Sequence, residues 1–160
     1  MRRIVLDNSV VVAAFYPDVL ERDGRKINLT ARARPLLQAV ENYYVQAYAP
    51  HSLVNEFLKV SHDKAFTRQG VGRVLPSDVE ASLQNLVALP VTYIDEARWL
   101  FVWDLTTRHR LPPTDAWFLA CAMEVQGELW VSHRQKDGFM QAAQAIYGDV
   151  HLLSDEEFKL

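Results

Sequence analysis

With 160 residues, 49% of them apolar and 23% charged, the chain has the composition of one soluble globular domain over 1–160, large enough to bury a core without staples. A formal net charge of −3 excludes a general attraction to nucleic acid, so a nucleic-acid enzyme of this composition needs a local basic patch, and metal at any acidic site that meets phosphate. The single cysteine, Cys121, excludes an internal disulfide and fits a reducing cytoplasm, the expected location; no apolar stretch approaches the roughly 18 residues of a membrane span, so no membrane partner is expected.

The chain opens with Ile4-Val5-Leu6, a short apolar run that stops at Asp7 and resumes after Asn8-Ser9 as Val10 to Phe15. This predicts a buried strand, a carboxylate at its end, and a buried helix over 8–16. Polar Pro17 to Thr30, with Asp23-Gly24, reads as a loop, and 31–42 as a helix that begins near Pro35 or bends there. Arg22, Arg25, Lys26, Arg32 and Arg34 cluster here, as a solvated or partner-facing surface or as a contact for an RNA backbone. Tyr43 to Ala49 reads as a second strand, and 52–64 as a helix with Glu56 in its first two turns. The Gly70- and Gly72-bearing stretch 67–76 reads as a connection, followed by a capping box, Ser77-Asp78-Val79-Glu80, that opens a helix. Pro90 to Ile94 is a third strand. Asp95 then caps a helix ending in Arg108-His109-Arg110, whose positive charge suits the helix's negative end. Asp115 begins a helix that closes near Gly127, Leu129 to Ser132 is a fourth strand, 138–147 a helix, and Val150 to Leu153 a last short strand. Strands and helices alternate almost throughout, which predicts an α/β fold with a parallel sheet covered on both faces.

The acids at element ends are the candidate chemistry. Asp7 ends the first strand, Glu56 and Asp115 lie early in helices, and Asp137 follows the fourth strand. Ionised oxygens suit Mg²⁺ or Mn²⁺, which bind substrate phosphate alongside one or two carboxylates. Taken singly, Glu56 also reads as a surface helix residue and Asp115 as a helix-dipole acid. Asp7 is harder to dismiss, because a carboxylate directly after a buried strand needs a partner or water. His133 reads as a strand-end histidine or a proton donor. Trp99, Trp103, Trp117 and Trp130 read as core or dimer interface, and Cys121 as buried filler.

Val5-Leu6-Asp7-Asn8-Ser9, Leu53-Val54-Asn55-Glu56-Phe57-Leu58, Thr114-Asp115-Ala116-Trp117-Phe118-Leu119-Ala120 and Leu129-Trp130-Val131-Ser132 come in an order and spacing that resembles the PIN-domain family, in particular its VapC-type toxins. The resemblance runs almost end to end. It implies a three-layer α/β/α sandwich with a central parallel sheet and a carboxylate pocket for Mg²⁺ or Mn²⁺. It also implies a metal-dependent endoribonuclease, usually a homodimer, silenced by a cognate antitoxin protein. Carried over, Asp7, Glu56 and Asp115 are the acidic site positions, with Asp7 and Asp115 on the metal, Ser9 supporting the first Asp and Ser132 closing the fourth strand. The chain departs from the family at Ser132-His133-Arg134, where a base stands in place of the fourth acid; Asp137, three residues on, is the candidate substitute, as catalytic acid and as metal ligand. Arg134 keeps open a second reading, a catalytically weak or inactive PIN-like module that binds RNA or protein. A phosphotransferase with Asp7 as nucleophile would want a second Asp where Ser9 stands.

Overall fold

A computed structural model describes residues 1–67, 73–94, 98–133 and 139–160. Five strands, β1 (Arg3–Leu6), β4 (Gln46–Pro50), β5 (Val91–Ile94), β6 (Glu128–Val131) and β7 (Val150–Leu152), form one sheet in the order β5-β4-β1-β6-β7, with every pairing parallel. Helices α1 (Asn8–Phe15), α2 (Leu29–Glu41), α3 (Ser52–His62) and α4 (Pro76–Ala88) pack together, and α5 (Trp99–His109), α6 (Pro113–Val125) and α7 (Phe139–Tyr147) form a second group. A chain that steps outward from β1 through β4 to β5, then crosses back to β6 and β7, places those groups on opposite faces if each crossover is right-handed. The result is a three-layer α/β/α sandwich. Ile4, Val5 and Leu6 have no exposed surface, as expected of a central strand covered on both sides.

The polar stretch read as a loop is instead an antiparallel hairpin, β2 (Val19–Arg22) and β3 (Arg25–Asn28). Asp23 (φ 52°) and Gly24 (φ 71°) both occupy the left-handed region, the pairing that matches strand twist in a two-residue turn. The charged strands hid this hairpin: only Leu20 and Ile27, opposite each other, turn an apolar face to the core. It also fixes the start of α2 earlier than expected. The Leu29 amide donates to Asp18 O (3.0 Å), and Asn28 Oδ1 accepts from the Ala31 amide (2.9 Å), so the helix is already running when it reaches Pro35.

Other boundaries shift for local reasons. The second sheet strand starts at Gln46, because Tyr43 sits at φ 57° and ends the helical chain there. The expected capping box at Ser77 does not form. Pro76 takes the first helical position, where a missing N–H costs nothing, and Leu75 O accepts from the Asp78 and Val79 amides. α3 continues into a π-helical turn, Asp63–Thr67. Trp130 is core, whereas Trp99 and Trp103 are exposed on α5. Cys121 is buried, and desolvation, with Glu124 nearby, pushes its thiol pKa up to about 12. Asp95, Gly70, Gly72, Arg134, Asp137 and Gly138 lie outside the described residues. No described helix is long and apolar enough to cross a membrane.

The C-terminal segment folds back across the edge of the sheet. Phe158 packs edge-on against Trp130 (5.5 Å between ring centroids), under the Arg2 guanidinium, and His151 stacks on the same indole (4.7 Å). His151 reaches Glu156 through Nδ1 (2.6 Å) and Asp149 through Nε2 (2.9 Å), with Glu128 at 3.9 Å. Burial disfavours its charged form, but these carboxylates outweigh that and raise its pKa. A raised histidine contributes stability that is complete below its unfolded value of about 6.5 and is lost as pH rises through the folded value. His151→Gln should therefore melt below the wild type at pH 6, and the gap should close as the pH is taken up past that window. A constant gap across the pH range would assign the loss to packing alone.

Candidate active site

β1 ends because Asp7 leaves the ladder to cap α1. Its backbone is extended (φ −68°, ψ 149°), and its amide donates to Trp130 O on β6 (3.1 Å). Asp7 Oδ1 accepts from the Ser9 amide (2.8 Å) and from the Ser9 hydroxyl. Ser9 Oγ in turn accepts from the Ser132 amide (3.0 Å), just past the end of β6. Ser9 thus braces the carboxylate against the neighbouring strand. Ser132, fully buried, contributes its main-chain N–H to that brace, while its hydroxyl meets His133 Nδ1 (2.8 Å).

Desolvation raises the Asp7 pKa above the ordinary carboxyl range; the hydrogen bonds of Ser9 and the Asn8 amide, and the nearby His133, pull it back only in part. The next residue adds a buried oxygen. Asn8 is buried, and its Oδ1 accepts no hydrogen bond among the described residues. A buried acceptor without a donor costs about 1–3 kcal/mol, so the sequence spends stability at two consecutive positions. In the sequence Asn8 stands only as a member of the first motif, with no role of its own; the signal was a side-chain amide at the head of an otherwise apolar helix.

Glu56 sits on the second turn of α3, which leaves the carboxyl end of β4, the neighbour of β1. It is half-buried, with Oε1 shielded from solvent. Asp115 is the third residue of α6, and this 13-residue helix, about 20 Å long, runs back over β4, β1 and β6 before Gly127 admits the chain to β6. Gly127 is required there, since a Cβ would stand 3.0 Å from the Arg3 carbonyl oxygen. Because α6 ends beside the start of β6, its first turn lies at the opposite edge. Asp7, Glu56 and Asp115 therefore share the carboxyl edge of the three central strands, where open parallel sheets bind ligands. They do not form a closed cage: among the described residues no three His, Cys, Asp or Glu side chains converge closely enough to hold an ion. Asp137 lies outside the described residues.

No family model and no curated protein matches the chain. Among solved structures, the chain is similar to the crystal structure of PAE2754 from Pyrobaculum aerophilum. The TM-score is 0.62 at 11% identity, over 96% of this chain and 85% of that one. That likeness shows the fold: an α/β/α sandwich shared over nearly the full length of both chains.

Asp7→Asn keeps the capping oxygen and removes the desolvated charge. An acid whose folded pKa is raised destabilises the fold at every pH above that value, and the penalty vanishes below the unfolded value of about 3.9. Asp7→Asn should therefore raise Tm at pH 7.5 by about 2–4 °C in the presence of chelator. The gain should shrink to nothing as the pH is lowered toward 4 in a differential scanning series. A lower Tm for the variant at pH 7.5 would show that Asp7 is held as a structural acid.

Proposed function

We propose that the protein is a divalent-metal-dependent endoribonuclease, the toxin of a type II toxin–antitoxin pair of the PIN-domain kind. What carries this reading is the desolvated Asp7 carboxylate at the carboxyl end of β1, beside the unpartnered oxygen of Asn8. A cation would relieve both groups at once. The donors are all oxygens, and an open edge with one or two carboxylates is the environment in which Mg²⁺ or Mn²⁺ keeps its waters and meets phosphate.

In this reading Asp7 and Asp115 hold the ion, with Asp137 as the third candidate ligand. When bound, the ion supplies Lewis-acid stabilisation of charge on the phosphate and favours ionisation of the attacking water. Ser9 fixes the direction in which the Asp7 oxygens point, and Asp115 stands in the first turn of α6, at the positive end of its dipole. Glu56, from the adjacent helix, orients the water and accepts its proton. In the hydrolysis the water oxygen bonds to phosphorus, one ester P–O bond breaks, and the departing ribose oxygen takes up a proton. The toxin reading adds a cognate antitoxin and a homodimer as partners.

A second reading, a PIN-like module that binds without cutting, is favoured by one feature: Arg134 stands where the family places its fourth acid. Purified protein incubated with mixed RNA separates the two. The expected result is cutting with Mg²⁺ or Mn²⁺, abolished by chelator, and reduced at least 100-fold by Asp7→Asn in a protein that remains folded. Asp137→Asn should lower activity if that residue replaces the fourth acid. Full activity in folded Asp7→Asn, or RNA binding without cutting under either metal, would remove the nuclease assignment.

A further inference from the structure

The nuclease reading leaves unexplained why an acidic protein gathers five cations between Arg22 and Arg34. The hairpin gives them an arrangement that the sequence did not reveal. Arg22 and Arg25 are directly opposite in the β2–β3 register, and like charges so placed repel. Asp155 relieves one of them, at 2.8 Å from Arg22 Nη1, with Asp23 at 3.8 Å from Nε. Arg25 makes no ion pair among the described residues, and neither does Lys26. Arg32, on the first turn of α2, donates to the carbonyls of Leu153 (2.8 Å) and Ser154 (3.0 Å), and its nearest carboxylate, Glu157, is 4.0 Å away. Carbonyls hold a guanidinium in place without cancelling its charge.

These groups line one groove of about 420 Å³, with Arg25, Lys26 and Arg32 on its walls and Pro35 and Phe158 among its apolar lining. The positive end of α2 opens onto it through Asn28 and Ala31. Among the described residues Glu157 is the one carboxylate in the lining. Its Arg32 end meets the carboxyl edge of the sheet, the edge of the acidic site, while its Phe158 end lies against Trp130 and Arg2. Ser9 accepts from the Ser132 amide, Ser132 O accepts from the Ser154 amide (2.9 Å), and the Ser154 carbonyl receives Arg32. β7, past whose end Arg32 is held, lies two strands from β1, about 10 Å at the usual spacing.

We propose that the β2–β3 hairpin and the first turn of α2 form a phosphate groove that holds single-stranded RNA a few nucleotides from the carboxylate edge. This rests on the ribonuclease reading above. Arg25 and Lys26 contact backbone phosphates from the hairpin, and Arg32 does so from the helix. An acidic protein segment would meet the same cations. RNA is favoured because Arg32 stands at the edge where a strand would be cut, and the phosphates flanking the cut must cross adjoining surface. Contacts of this kind position the strand and carry no sequence preference of their own.

The test uses the full chain and a fluorescent single-stranded RNA of mixed sequence, with anisotropy measured in chelator between 50 and 200 mM salt. Losing two phosphate contacts lowers the log–log salt slope by about 1.4 and weakens binding about 25-fold at 0.1 M salt. That is the result expected for Arg25→Ala/Lys26→Ala, whose changes are exposed and whose folding is checked by its melting curve. Arg108→Ala, which removes one cation from distant α5, should leave affinity and slope unchanged. Unchanged slope and affinity in the folded double variant, while wild type still cuts RNA, would overturn the groove and leave the nuclease standing. Absence of RNA binding and cutting by wild type would overturn both, as would groove-dependent binding of a polyglutamate peptide in place of RNA. If the double variant melts early, the charge-conserving Arg25→Lys decides: it should bind as wild type does.

Discussion

The acidic edge depends on the hydrogen bonds by which Ser9 ties the end of β1 to β6. One hydroxyl meets the Asp7 carboxylate and receives the Ser132 amide, so the direction of the first acid and the end of the neighbouring strand are set together. Asp7 itself closes β1, donates its amide to Trp130 and starts α1. From that point the topology does the rest: β4 delivers α3 with Glu56 on one side, and α6 returns Asp115 over the same three strands. Without the brace, a carboxylate that burial already disfavours would have no fixed orientation to offer a ligand.

Consecutive residues here work against stability. Asp7 is held in a desolvated position that raises its pKa, and Asn8 buries an oxygen that meets no donor among the described residues. Elsewhere the chain satisfies comparable groups with care. Asn28 caps α2 with its side chain, the buried Tyr16 and Ser61 hydroxyls meet each other at 2.8 Å, and Glu128 is paired with Arg2 and the Trp130 indole. A desolvated carboxylate next to a buried amide oxygen without a partner among the described residues is a pattern expected where a ligand completes a site, although Thr106 Oγ1 on α5 is also buried without one.

The α/β architecture was legible because buried parallel strands are short continuous apolar runs, and Ile4-Val5-Leu6 or Leu129-Trp130-Val131 announce themselves as such. Positions of Asp7 and Asp115 at element ends were legible for the same reason: a charge that interrupts an apolar run marks a boundary. The hairpin was not, since Glu21, Arg22, Arg25 and Lys26 give strands no apolar alternation, and its two left-handed turn residues were read as loop. Capping at Ser77 failed as a reading because Pro76 competes for the same helix start and wins by being preset in φ. The role of Ser132 was half legible: its place past β6 was clear, but the group that braces Ser9 is its backbone amide, to which the side chain gives no clue.

The proposed function rests on the claim that the Asp7 oxygens face a divalent cation at the carboxyl edge of β1. Crystals soaked in Mn²⁺, with anomalous difference density measured at the manganese edge, test that claim without reference to any substrate. The expected result is a peak within coordination distance of an Asp7 carboxylate oxygen, about 2.0–2.6 Å, and absent from Asp7→Asn crystals soaked in the same way. Manganese bound elsewhere on the protein, with no peak at Asp7 in the wild type, would contradict the account.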